Sequence, residues 1–156
     1  MIDVMEKKNP KKRIIIGWRE YISLPEFNIP RIKVKVDTGA NTSALHVTNL
    51  KMINRDGDDF AQFYIHPIQK KIKPKYKVEL KIIEHRSIKS SNGFITVRPV
   101  VFMPVKIGPF YYEIEVTLIN RDLMGFRMLL GRKAMKGKFL VNPSGSFLLD
   151  KLGAIK

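Results

Sequence analysis

Period-two alternation of apolar and polar residues, recurring in short runs between turn signals, constrains this chain more than any other feature. Between residues 31 and 36 basic and apolar residues alternate strictly. Ile32, Val34 and Val36 therefore share one face of a strand, and Arg31, Lys33 and Lys35 the other. Residues 75–83 repeat the pattern through Tyr76, Val78, Leu80 and Ile82. Apolar or β-branched runs at 14–16, 94–97, 100–107, 110–119, 127–130 and 139–141 add further strands. Ser90-Ser91-Asn92-Gly93 reads as a tight hairpin turn, because Asn-Gly tolerates the positive φ values such turns need. Gly108-Pro109 separates a second hairpin pair. Helical character is confined to a single short stretch at residues 132–136. Strands without a helical layer must bury their apolar faces against one another, which predicts a mainly β domain, closed or sandwich-like.

Composition bounds the partners. The 156 residues suit one domain, and 44% hydrophobic with 28% charged residues is a globular balance. Lys and Arg number 29 against 14 acids, for a formal net charge of +15. Such a surface attracts polyanions: nucleic acid, anionic lipid or acidic peptide. Residues 1–13 hold five Lys or Arg against two acids and read as a mobile basic arm, leaving residues 14–156 as the β domain. The absence of cysteine excludes disulfides, thiol catalysis and cysteine-ligated zinc. No apolar run approaches the ~20 residues of a membrane span, and the N-terminal residues lack the apolar stretch of a signal peptide. The expectation is a cytoplasmic protein with no membrane partner.

Val36-Asp37-Thr38-Gly39-Ala40 carries the sharpest chemical signal. An alternating strand delivers an acid, and the glycine then allows the sharp turn that leaves its carboxylate at a strand end. Far downstream, Leu129-Leu130-Gly131-Arg132 sets two large apolar residues before a glycine. The hairpin with the polar tip at 90–93 lies between them.

Together these motifs resemble the retropepsin-type aspartic peptidases, in which Asp-Thr-Gly-Ala, a flap hairpin and an apolar-apolar-Gly-Arg stretch before a short helix follow in this order. Gly17-Trp18-Arg19-Glu20, Leu24-Pro25, Ile29-Pro30-Arg31, Asn120-Arg121-Asp122 and the residues flanking both motifs are similar to a small bacterial family labelled "putative ATP-dependent zinc protease". The resemblance covers roughly residues 14–149. It implies a closed retropepsin-like β-barrel with a flap hairpin and one short helix. It also implies that Asp37 is the catalytic carboxylate, that Thr38 locks its loop by hydrogen bonds and that Gly39 lets backbone approach substrate. Ala40, Ser91, Asn92 and Gly93 would meet substrate, with Arg86 from the basic surface. Leu129, Leu130, Gly131 and Arg132 would support the loop from beneath. Retroviral members carry acids just after the alanine, where this chain has Asn41-Thr42-Ser43, so Arg132 cannot form the corresponding ion pair with residue 41.

An aspartic peptidase needs two carboxylates sharing a proton, because close like charges cannot both ionise. The chain holds one such motif, so a two-fold homodimer would supply the second Asp37. Asp122 and Asp150 are the other acids available, and neither sits in a matching motif. The zinc and ATP labels find no counterpart. His46, His66 and His85 are scattered, and no His-Glu-x-x-His occurs. Gly131 and Gly137-Lys138 are misspaced for a phosphate loop, with Phe139 where Ser or Thr would stand. No cofactor and no metal are therefore expected.

Two readings of function follow. The first is a homodimeric aspartic-type peptidase acting on a peptide or protein. Family members occur beside an ATP-grasp ligase that adds glutamates to a ribosomal protein, so the resemblance implies trimming of such acidic tails. The basic residues at 31, 33, 35, 70–77 and 86 would form the electropositive groove. The second is a non-catalytic module that binds polyanions or ribosomes on the same fold. Nucleic acid remains a conceivable partner without a recognition motif, since aromatics such as Tyr21, Tyr64 and Tyr76 are better read as core or rim.

Overall fold

The computed structural model describes residues 12–121, 123 and 125–155. The expected basic arm lies almost wholly outside the described residues. Among them the chain forms ten strands and two short α-helices. The strands are β1 (Ile14–Ile16), β2 (Arg19–Leu24), β3 (Ile29–Val36), β4 (Ser43–Arg55), β5 (Asp58–Ile65), β6 (Tyr76–Lys89), β7 (Ile95–Ile107), β8 (Phe110–Ile119), β9 (Met128–Leu130) and β10 (Phe139–Val141). The helices are α1 (Arg132–Met135) and α2 (Leu148–Ile155). The protein is mainly β, as the alternation requires.

Eight strands form one sheet in the order β2-β3-β9-β4-β5-β6-β7-β8, and pairings of β2 with β7 and of β4 with β8 close it on itself. Burial follows the alternation. Along β3 the residues Ile32, Val34 and Val36 point inward, and Arg31, Lys33 and Lys35 stay outside or at the rim. They join Leu45, Val47, Phe63, Val101, Met103, Val116 and Leu130 in one core. A flat sheet would leave one face of these strands in water. Curling the sheet buries them against each other.

β9 lies between β3 and β4. It pairs parallel with β3 (Val36 opposite Leu130) and antiparallel with β4 (Ala44 opposite Leu129). The loop from β3 to β4 must therefore step over a strand contributed from late in the sequence. That loop carries Asp37.

β6 and β7 run as one long hairpin that projects beyond the sheet. Its tip differs from the tight Asn-Gly turn expected. Gly93 N–H bonds the Ser90 carbonyl at 3.0 Å, and Ser90 N–H bonds the Phe94 carbonyl at 2.8 Å. Only Gly93 (φ 90°) takes a positive φ there, so Asn92 stays in an ordinary conformation and the loop is wider. The two-residue turn with positive φ at both positions lies instead at Asp56-Gly57 (φ 52° and 88°), between β4 and β5.

The second helix was not expected. Nothing local announces α2, because its start is capped from the other end of the chain. Glu20 on β2 is fully buried, and its carboxyl oxygens accept N–H bonds from Leu148 (2.9 Å) and Leu149 (3.1 Å). These are donors that a helix start otherwise leaves bare. The same carboxyl accepts the Gly17 N–H at 2.7 Å.

Candidate active site

The Asp37 loop is built almost entirely from backbone bonds. Val36 N–H bonds the Trp18 carbonyl (2.8 Å) and Asp37 N–H the Leu130 carbonyl (2.9 Å), so the strand continues to the acid itself. The chain then turns: Gly39 N–H bonds Asp37 Oδ1 (3.0 Å) and Ala40 N–H bonds the Asp37 carbonyl (3.2 Å). From beneath, the N–H groups of Arg132 and Lys133, at the start of α1, bond the carbonyls of Ala40 (2.8 Å) and Asn41 (3.0 Å). Arg132 adds its side chain, Nη1 donating to the Thr38 carbonyl at 2.9 Å. The arginine thus grips the loop through backbone, which compensates for the missing acid at position 41.

Gly131 must be glycine for reasons of space. A Cβ there would lie 2.7 Å from the Thr42 carbonyl carbon and 2.9 Å from its oxygen. Its N–H bonds Ser43 Oγ at 3.0 Å, and Ser43 is itself buried. Leu130 enters the main core, and Leu129 packs on a smaller cluster of Ala44, Ile119 and Leu123. In the sequence Ser43 only closes the Asn41-Thr42-Ser43 run that replaces the retroviral acids, and nothing local signals its partner at 131.

A cleft of about 820 Å³ opens over this loop. Asp37, Gly39 and Ala40 line its floor, with Leu129 and Leu123. Ile88, Lys89, Ser90 and Ser91 of the hairpin line it from the flap side. Asp37 is half-buried, while Thr38 and Gly39 are exposed. Thr38 lines a separate hollow with Asn41, Arg132, Met135, Phe139 and Val141. Asn92 and Gly93 do not line the Asp37 cleft, and neither do Leu130, Gly131 or Arg132.

The cleft also gathers cations: Arg86, Lys89, Arg98, Arg121 and Lys133. Of the basic residues expected to form a groove, only Arg86 belongs to it. Arg86 is heavily engaged. Its Nε donates to Glu84 (2.7 Å), and its Nη1 to Glu115 (3.1 Å) and Thr42 (3.1 Å). Lys133 shares Glu115 at 3.2 Å. The Arg86 hydrogen bond holds the Glu84 carboxyl below the usual range. Burial alone would raise Glu115, but the bonds from Lys133 and Arg86 outweigh it and bring it down. Arg98 carries no sequence signal, and Arg121 stands in the Asn120-Arg121-Asp122 motif without an expected place in the cleft. Burial lowers the Arg98 guanidinium, and the nearby Arg121 lowers it further.

Elsewhere the basic and aromatic residues occupy each other. Arg31 lies 3.7 Å over the Tyr21 ring, which stacks on Phe147 at 4.8 Å. Lys75 covers Tyr64 at 4.8 Å. Asp150 pairs with Arg31 at 3.3 Å, outside the cleft, and Asp122 lies outside the described residues. His66 is buried between Thr48 Oγ1 (2.6 Å) and the Ile72 carbonyl (2.7 Å), and Arg127 Nη1 lies 2.9 Å from His46 Nδ1. Among the described residues no three His, Asp or Glu side chains converge as metal ligands, and no helix is long and apolar enough to cross a membrane.

A strand-borne Asp-Thr-Gly loop, threaded around a later strand and faced by a hairpin flap, defines the retropepsin-like class of fold. Comparison places the chain within it: residues 15–151 match the RimB-like family, described as "retropepsin-like aspartic endopeptidase RimB", and the chain belongs to that family. A solved Legionella pneumophila protein of unknown function is 27% identical with a TM-score of 0.73, over 88% of this chain and 99% of that one. Curated relatives carry a different label. Proteins named "Probable alpha-L-glutamate ligase" from Shewanella halifaxensis and Parasynechococcus marenigrum are 46% and 40% identical over 89% and 90% of this chain. The chain spans only about 30% of the length of those relatives.

Proposed function

We propose that this chain is an aspartic endopeptidase that works as a two-fold homodimer on acidic, glutamate-rich peptide. The observation that carries the reading is the position of Asp37, half-buried on the floor of a cleft faced by a hairpin and rimmed with cations. The relatives' ligase name supports the substrate class, since a protein related to glutamate ligases has glutamate-rich products within its chemical neighbourhood.

In the dimer, Asp37 of each copy would face the other across the two-fold axis. One carboxylate would take a proton from the attacking water as the other, protonated, donates to the scissile carbonyl. The bond from Gly39 N–H fixes the Asp37 carboxyl plane before substrate arrives, which removes a reorganisation cost from the reaction. The flap would close over the peptide and exclude water.

The test is mass spectrometry of an oligoglutamate-tailed peptide incubated with wild type and with Asp37→Asn. The variant should keep the wild-type melting temperature and lose cleavage entirely. Cleavage that survives in Asp37→Asn would refute the mechanism. The ligase names also favour a second reading, in which the domain only holds a glutamate tail for another activity. That reading predicts binding without cleavage by either protein.

A further inference from the structure

Five cations and one acid line the Asp37 cleft, but the cations are not equivalent. Glu84 and Glu115 sit against Arg86, and Glu115 also holds Lys133. These two carboxylates neutralise that side of the cleft. Arg98 and Arg121 have no such relief. Among the described residues no carboxylate pairs with either, and Arg98 Nε donates to the neutral Thr96 hydroxyl at 3.2 Å.

Arg98 on β7 stands directly opposite Arg86 on β6, whose own charge is offset by Glu84 and Glu115. Arg121, two residues past the end of β8, approaches Arg98 closely enough to disfavour its charged form. Arg98 is also half-buried, so part of its hydration is lost. A fold gains nothing in stability from this cluster. A bound anion would relieve it, and guanidinium forks match a carboxylate in both geometry and charge.

We infer that Arg98 and Arg121 together receive a side-chain carboxylate of the substrate in the Asp37 cleft, and that Arg86, already neutralised, serves as scaffold. The inference rests on the acidic-peptide reading above and names the residues that set its specificity. Two guanidiniums converging on one carboxylate select glutamate over its uncharged isostere glutamine, because glutamine would leave both cations uncompensated.

The test measures binding separately from chemistry. Fluorescence anisotropy with a labelled oligoglutamate peptide gives Kd for the Asp37→Asn protein, then for the same protein carrying Arg98→Gln and Arg121→Gln. A control carries Lys51→Gln and Lys77→Gln, which remove the same net charge from exposed positions outside the cleft. The arginine pair should weaken binding by roughly tenfold or more, the scale of a lost charged hydrogen bond. The control pair should change it far less, and Arg98→Lys with Arg121→Lys should restore only part of the loss. An oligoglutamine peptide should bind weakly and ignore all of these changes. The melting temperature of the arginine double variant should hold or rise, because repulsion has been removed. Equal losses in the two double variants would reduce the effect to net charge and overturn the inference, as would unchanged or absent binding. Wild-type cleavage is scored apart. Arginine-dependent binding without cleavage refutes the peptidase and keeps the subsite, whereas cleavage with arginine-independent binding does the reverse.

Discussion

Glu20→Gln tests whether a buried carboxyl joins the two ends of this fold. Glu20 has no exposed surface, and three backbone N–H groups converge on it from separate parts of the chain. Oε2 accepts from Gly17 (2.7 Å) and Leu148 (2.9 Å), and Oε1 from Leu149 (3.1 Å). Glutamine has the same shape but only one acceptor. Its best placement keeps the oxygen on the Gly17 and Leu148 side and turns the NH₂ toward the Leu149 N–H. One bond is then lost, and a buried donor faces a second donor. Leaving such a group unsatisfied costs about 2 kcal/mol, which for a chain of this size lowers Tm by about 4–8 °C. The assay is thermal unfolding at neutral pH, followed by circular dichroism. Oligoglutamate binding measured well below the transition should not change, since Glu20 does not line the cleft. An unaltered melting temperature would refute the reasoning, because it would mean that Leu149 N–H finds another acceptor at no cost.

Gly131→Val should lose stability and cleavage together, unlike Asp37→Asn. Its side chain would enter space held by the backbone of Asn41 and Thr42, which cannot swing aside, at a cost of about 2–3 kcal/mol in denaturant titration. Glu115→Gln should flatten the acid limb of the stability curve. The bonds from Lys133 and Arg86 hold the folded carboxyl below the usual carboxylate range, so its contribution is present above the unfolded value and is lost as pH falls through the folded one. The variant should therefore be less stable than wild type at neutral pH, and the difference should shrink as urea titrations move from about pH 5 down through the folded value. A gap that stays constant across that range would rule out the Lys133 and Arg86 bonds as its source.

The strands that alternate strongly were legible. β3 and β8 lie where the sequence put them, because a half-buried strand imposes period two on its residues. β2, β4 and β5 were not assigned from sequence. β4 changes partner along its length, pairing with β8 and β9 at its start and with β5 beyond, with a register break near Asn49 (φ 54°). Its outer half is largely exposed, so no single pattern runs through it. Asp56-Gly57 is a hairpin signal of the same kind as Asn92-Gly93, and it is the one the structure realises as a two-residue turn. In the cleft, Asp37 and Leu129 were legible from motif, because their local sequence makes the turn. Arg98 and Arg121 were not. Arg98 lies among ordinary strand residues and Arg121 in the turn just past β8, and only the closing of the sheet brings them to the Asp37 cleft. Arg86 illustrates the converse: basic in sequence and present in the cleft, it is paired through contacts with Glu84 and Glu115, of which only the first is local.

That contrast separates two roles of positive charge in this protein. The formal +15 is spread over the whole chain, and at physiological salt a surface charge is felt over only about 8 Å. Distant lysines can therefore raise the rate at which an acidic peptide meets the surface, but they cannot hold one carboxylate in register over Asp37. Holding requires charge inside the cleft that no internal acid has already claimed. Glu115 is spent on Arg86 and Lys133, and both of those residues border the Asp37 loop, Arg86 through Thr42 and Lys133 through Asn41. Neutralising them stiffens the floor. Among the described residues no carboxylate pairs with Arg98 or Arg121, so the cleft stays electropositive beside them. The same cleft thus spends its carboxylates where rigidity is needed and withholds them where a ligand's carboxylate would have to compete.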